Sequence, residues 1–201
     1  MNTNREQPVP LILASVSPRR KGILKTLGLA FIVMPSSALE DCDAKEPAEI
    51  VKTLALRKAR AILPGVKRGV IVSADTIVVV DNEIIGKPKD YRDAVRILRK
   101  LNGSVHKVYT GVAVIEKPGG CVQTGVEVTK VKMRMFTDAE VLKLARKNRD
   151  KAGAYAIQET DDKFVEYIRG DYYNVVGLPK KMLVRMLNNT ILNVPIKTRG
   201  L

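Results

Sequence analysis

The chain reads as blocks of apolar residues whose period shifts from unbroken to helical to alternating, and each shift marks an element. Leu11-Ile12-Leu13-Ala14 is an unbroken apolar run, the pattern of a short buried strand. Ser15-Val16-Ser17 follows as a hydroxyl-bearing turn. Pro18 suits the first position of a helix, where no N–H is needed, and Ser17 is placed to cap that helix through its side-chain oxygen. Ile23, Leu24 and Leu27 then recur at helical spacing, Gly28 ends the helix, and residues 31–34 read as a second strand. Residues 47–63 carry a strong helical stripe of Ile50, Val51, Leu54, Ala55, Ala59 and Ile62, stopped by Pro64-Gly65. Two apolar runs at 70–72 and 77–80 read as buried strand, with Ser73-Ala74-Asp75-Thr76 between them. Asp81-Asn82 is a hairpin turn from which Ile84-Ile85 returns.

Farther along, a helix over 91–101 starts behind Asp90. Two long strands follow at 105–115 and 122–135, joined by a turn at Lys117-Pro118-Gly119-Gly120. The apolar parity of the second switches between Val128 and Val131, which predicts a bulge. Thr137-Asp138-Ala139-Glu140 is a capping box that opens a helix reaching to about Lys147. Residues 164–168 and 172–176 read as paired strands around Gly170-Asp171, and 179–187 as the last helix. With no internal repeat and no linker, the pattern predicts one domain over residues 1–201, of α/β class.

Composition narrows the function. A net charge of +14 favours polyanionic partners: nucleic acid, anionic membrane or nucleotide polyphosphates. The aromatic content is 4% with no Trp, which supplies a stacking platform for single-stranded nucleic acid poorly, and the basic residues are interleaved with acids rather than gathered in an arm. Two cysteines and one histidine do not suggest a disulfide framework or a histidine-ligated metal. The polar first ten residues lack a hydrophobic signal core, and no run approaches the roughly 18 apolar residues of a membrane span. The expectation is a cytoplasmic protein without a membrane partner.

The candidate chemistry begins at Ser15, Ser17, Arg19 and Arg20. Two arginines in the first turn of a helix oppose its dipole, unless an anion sits there to receive free N–H groups, hydroxyls and guanidinium forks together. The acidic loop Glu40-Asp41-Cys42-Asp43 reads either as a solvated loop or as carboxylates for a divalent metal. Lys58 and Lys87 read either as solvated lysines or as phosphate ligands. Asp75, inside a nearly continuous apolar stretch, is costly to bury without a partner, which makes it the first candidate for a catalytic acid residue.

Six ordered blocks carry a family resemblance: Ser15-Val16-Ser17-Pro18-Arg19-Arg20, Ala74-Asp75-Thr76, Gly86-Lys87-Pro88, His106-Lys107-Val108-Tyr109-Thr110-Gly111, Lys151-Ala152-Gly153-Ala154-Tyr155-Ala156-Ile157-Gln158 and Asp171-Tyr172-Tyr173-Asn174-Val175-Val176-Gly177-Leu178-Pro179. Together they resemble the Maf family of nucleoside triphosphate pyrophosphatases. The resemblance implies a mixed, bent β-sheet flanked by helices, with two lobes around a nucleotide cleft, as in the inosine triphosphate pyrophosphatases. It implies hydrolysis of dTTP and UTP, by likeness to that branch, with the same reaction on 7-methyl-GTP or modified nucleotides as the alternative. It also implies a divalent cation, Mg²⁺ or Mn²⁺, and often a homodimer. By that likeness Asp75 is the catalytic base, Glu40 or Asp41 holds the acidic position beside the metal, and Arg19, Thr76 and Gln158 set base selectivity. Glu159-Thr160 departs from the family's usual Gly after Gln158. A basic nucleic-acid-binding module is the distant rival, and no stable nucleic-acid partner is expected. A P-loop is absent, since no Gly-Lys-Ser/Thr stretch follows a Gly-rich loop.

Overall fold

The structure is a computed structural model that describes residues 9–147, 152–155, 157 and 165–191. Its elements run β1 (Leu11–Leu13), α1 (Pro18–Thr26), β2 (Ile32–Val33), α2 (Pro47–Ile62), β3 (Gly69–Val80), β4 (Glu83–Ile85), α3 (Tyr91–Leu101), β5 (Val105–Lys117), β6 (Val122–Met133), α4 (Asp138–Leu144), β7 (Val165–Arg169), α5 (Tyr172–Val176) and α6 (Lys180–Asn188). The strands form one mixed seven-stranded sheet in the order β2-β1-β3-β5-β6-β7, with β4 also paired to β3. β1 lies parallel to β2 and β3, and the remaining pairs are antiparallel.

Alternation along the strands sorts the core onto two faces. Ile12, Ile71, Ala113 and Ile115 pack against Ala55, Ala59 and Ile62 of α2 on one face. Leu11, Leu13, Val70, Val72 and Val112 point the other way, toward Ile23 and Leu24 of α1 and Leu183 and Leu187 of α6. Farther along that same face Val78, Val108, Val131 and Met133 meet Ile97, Leu98 and Leu101 of α3 and Val141 and Leu144 of α4. One face of the sheet thus carries two packed clusters, and α2 covers the other.

β3 explains where a site can form. β1 pairs with it only as far as Leu13↔Val72, and β4 takes it up again at Val78↔Ile85. Between them, the edge of β3 from Ser73 to Ile77 has no strand beside it among the described residues. The opening lies beyond the carboxyl end of β1, the place where open sheets with parallel strands receive ligands.

The two apolar runs expected around Ser73-Ala74-Asp75-Thr76 are one continuous strand. Its polar side chains do not break it because each has a partner: Ser73 Oγ donates to the Ala55 carbonyl at 2.5 Å, and Asp75 meets Lys58. The hairpin at Asp81-Asn82 forms as expected, with both residues at positive φ (49° and 59°), as a two-residue primed turn requires.

Three expectations are corrected. Residues 172–176 are helix α5, not a strand: Asp171 accepts from Tyr173 N–H at 2.7 Å as the cap, and β7 pairs with β6 instead. The parity switch near Val128 is not a bulge, because β5 and β6 pair without interruption through it. Val126 packs toward α2 while Val131 packs toward α3, so the covered face changes along the strand. The one register shift in β6 lies at Lys132/Met133, against β7. Finally, Ser17 occupies the cap position of α1 but makes no side-chain cap; its N–H donates to Ser15 Oγ at 3.2 Å. The capping box at Thr137 and Glu140 is present, and α4 behind it ends at Leu144.

Candidate active site

The open edge of β3 forms one wall of a cleft of about 930 Å³. Into it the fold brings Ser15, Ser17, Arg19 and Arg20 from the end of β1 and the start of α1, and Glu40 from the loop after β2. Lys58 comes from α2, Asp75 and Thr76 from β3, and Lys87 from the loop after β4. Every expected site residue within the described part of the chain lines this cleft. Gln158, and the departure at Glu159-Thr160, lie outside the described residues. Among the lining residues four are cationic and two are acidic, so the cleft attracts anions.

Its centre is an ion triad. Lys58 Nζ lies 2.5 Å from Asp75 Oδ1 and 2.8 Å from Glu40 Oε1. The lysine and Asp75 side chains are only 12% and 11% exposed, so the pair is little screened by solvent. Hydrogen bonding from Lys58, ahead of the nearby charges of Lys58, Lys87 and Arg20, holds the Glu40 carboxylate below its usual range. Lys87 Nζ approaches the other Glu40 oxygen at 3.8 Å. Asp75 Oδ2 has no hydrogen-bond partner among the described residues, which leaves it available as a base.

Of Glu40 and Asp41, only Glu40 lines the cleft, and a residue that the sequence did not single out accounts for the difference. Arg57, one position before Lys58 on α2, pairs with Asp41 Oδ1 at 2.9 Å and with its backbone carbonyl. That clasp turns Asp41 away and presents Glu40 to the cleft. Lys58 is no solvated lysine: it stands between two carboxylates.

Arg20 is held by protein groups on three sides. Its Nε–H donates to the Gly177 carbonyl at 2.9 Å, Nη1 to Ser15 Oγ at 3.2 Å and Nη2 to Thr76 Oγ1 at 3.2 Å. Burial pushes the guanidinium below its ordinary value, and Asp75 opposes that shift. Three of the five guanidinium N–H groups are thereby used, leaving two for a ligand. Gly177 closes α5 at φ 112°, a conformation open to glycine at little cost, and this aims its carbonyl at Arg20. The Thr76 hydroxyl is engaged with Arg20 and Thr110.

Away from the triad the cleft wall is apolar, with Val78, Ile84, Val108, Tyr155, Ile157 and Val175. Tyr155 is backed by the chain's one histidine, His106, whose Nε2 lies 2.7 Å from the Tyr155 hydroxyl. Burial lowers the His106 pKa to about 4 and raises that of Tyr155. The sign of the linkage follows. In the unfolded chain the imidazole binds its proton near 6.5, and in the folded chain near 4, so the unfolded state holds more protons between those values. Folding stability is expected to fall by about 3 kcal/mol as pH drops from about 6.5 to about 4. The lone imidazole signal in proton NMR checks it directly. It should stay in its neutral position at pH 5, and titration of the folded protein near 6.5 would refute the assignment.

Comparisons with known proteins bear on the family and the fold. The family model described as Maf-like protein matches residues 10–190. The chain is 46% identical over 182 residues to a protein of Dictyoglomus turgidum named dTTP/UTP pyrophosphatase, covering 89% of this chain and 94% of that one. Proteins of the same name from Pyrococcus abyssi and Alkaliphilus metalliredigens are 46% and 49% identical, covering 88% and 84% of this chain and 94% and 90% of theirs. Among solved structures, the Staphylococcus aureus Ham1 protein superposes with a TM-score of 0.52 at 12% identity, over 88% of this chain and 99% of that one, which is a likeness of fold.

Proposed function

This chain belongs to the Maf family, and from that premise we propose that it hydrolyses dTTP and UTP to the nucleoside monophosphate and pyrophosphate, clearing unwanted nucleotides in the cytoplasm. The observation that carries the reading is the Glu40–Lys58–Asp75 triad at the open edge of β3, inside a cleft with four cations against two carboxylates.

The substrate brings about four negative charges, so the cleft draws it in and orients it. Arg19, Arg20 and Lys87 neutralise the phosphates, with Ser15 and Ser17 and the start of α1 supplying hydroxyl and N–H donors. Asp75 takes the proton from a water attacking the α-phosphorus. Lys58 holds that carboxylate by Oδ1, which leaves Oδ2 to receive the proton. The pyrophosphate leaves, and the cations that gripped it offset the charge it gains. The apolar wall around Val108 and Tyr155 takes the base.

A divalent cation, Mg²⁺ or Mn²⁺, belongs to this proposal. Glu40 and Asp75 converge on one cation already, the Lys58 ammonium. Among the described residues no group of three or more His, Cys, Asp or Glu side chains is arranged to hold a metal. Two carboxylates with substrate phosphates form the kind of donor set that Mg²⁺ takes, so the residues fit. The ion would add charge neutralisation on the phosphates. Base selectivity rests, in this reading, on Arg19, Thr76 and Gln158. A homodimer and a small-molecule nucleotide as substrate, without a stable nucleic-acid partner, are carried over from the family. Among the described residues no helix is long and apolar enough to cross a membrane.

The test is pyrophosphate release from a panel of nucleoside triphosphates with Mg²⁺ or Mn²⁺. dTTP and UTP should run well ahead of CTP, ATP and GTP. Equal rates on CTP and UTP, or a preference for 7-methyl-GTP, would overturn the base assignment. No release from any of them would overturn the reaction.

A further inference from the structure

Beneath the cleft a closed ring of hydrogen bonds ends on both sides of the Arg20 guanidinium, and the direction of every bond in it is fixed. Thr110, fully buried on β5, has one O–H, which donates to the Asn174 carbonyl at 3.0 Å. Its contact with Thr76, also 3.0 Å, is therefore made with Thr76 as donor. Thr76 Oγ1 in turn accepts from Arg20 Nη2. On the other side, Arg20 Nε–H donates to the Gly177 carbonyl, and Gly177 N–H donates at 3.0 Å to the same Asn174 carbonyl. Asn174 is itself fully buried and pinned, its side-chain amide donating to the Val108 carbonyl at 3.0 Å and to Thr129 Oγ1 at 2.9 Å.

We infer that Thr110 and Asn174 are positioning residues for Arg20. They touch no ligand themselves; they fix the plane of the guanidinium so that its two remaining N–H groups are pre-set for a phosphate chain. The inference rests on the phosphate-binding role given to Arg20 above. Its physical basis is preorganisation: a donor held by the protein loses no freedom when the anion arrives, and a polarised chain of hydrogen bonds stiffens each member. The register supports a built arrangement, since Thr76 and Thr110 are direct cross-strand partners on β3 and β5.

The test is a double-mutant cycle on the full chain with Thr110→Val, Arg20→Ala and the pair. Thr110→Val keeps the volume and branching of the side chain and deletes the hydroxyl. It should lower kcat/KM for dTTP roughly tenfold, and Thr110→Ser should recover most of the loss. In the Arg20→Ala background, Thr110→Val should change kcat/KM by less than about twofold, because its route of action is already gone. Equal losses in both backgrounds, or a lowered Tm with unchanged kcat/KM, would overturn the inference. The same cycle read as affinity for inorganic tripolyphosphate by calorimetry needs no turnover. Absent hydrolysis therefore counts against the proposed reaction, whereas an additive cycle counts against the ring. If the valine variant does not fold, Thr110→Cys weakens both bonds at nearly constant volume and faces the same outcomes.

Discussion

Asp75→Asn is expected to lower kcat for dTTP by about 10²–10⁴-fold while leaving the protein folded. The replacement is nearly isosteric, and the backbone of residue 75 stays paired with Gly111 in the middle of β3. Asn can still accept from Lys58 through its side-chain oxygen, and Lys58 keeps Glu40 at 2.8 Å, so the ammonium is not left without an anion. That matters for the fold, because removing the only partner of a buried charge costs roughly 3–5 kcal/mol. What the amide cannot do is take a proton from the attacking water. The measurement is kcat at saturating dTTP, read beside circular dichroism and Tm. A near-normal kcat in a folded variant would place the base elsewhere.

Gly111→Val is expected to destabilise the fold by about 4 kcal/mol, beyond the ~1–3 kcal/mol usual for overpacking, and to lower Tm by roughly 12 °C. A Cβ on Gly111 would lie 2.2 Å from the Val51 carbonyl oxygen and 2.3 Å from its carbon. Those are backbone atoms of α2, which cannot swing aside as a side-chain tip does. The whole helix must lift from β5. The usual gain from a β-branched residue in a strand, within a scale of about 1 kcal/mol, is too small to offset this. Activity should fall as well, since α2 carries Lys58 and Gly111 sits opposite Asp75 in the register. Thermal and urea unfolding of the variant decide the matter. A Tm within about 2 °C of the parent would show that α2 is not seated there.

Gly111 also shows what sequence reading reaches and where it stops. A glycine inside a long strand pattern signals a bulge or a close backbone approach. Which backbone approaches depends on how α2 crosses the sheet, and no local pattern encodes that. The elements with strong local signals were legible for that reason: the Pro18 start of α1, the stripe of α2, the Asp81-Asn82 turn and the Thr137 capping box each rest on neighbours in the chain.

Residues 172–176 misled because their aromatic and β-branched side chains favour strands, while the deciding groups are Asp171 as cap, Gly177 at positive φ and a buried Asn174 tied to β5 and β6. The cap and the glycine were visible in the sequence and were outweighed by composition. At the site, Asp75 could be picked out because charge in an apolar setting is costly, and Arg20 with Ser15 because cations at a helix start call for an anion; Lys58 and Lys87 stood only as candidate phosphate ligands. The Arg57 clasp that holds Asp41, and the Thr110–Asn174 ring behind Arg20, join segments far apart in the chain. Their members look like ordinary polar residues until the sheet register brings them together.

The central claim is attack of water on the α-phosphorus of dTTP in the cleft beside Asp75. Hydrolysis of dTTP with Mg²⁺ in water labelled with heavy oxygen tests it most directly, with the products separated and weighed by mass spectrometry. The account predicts label in dTMP and unlabelled pyrophosphate, with this turnover lost in Asp75→Asn; label in the pyrophosphate, or release of dTDP and inorganic phosphate, would contradict it.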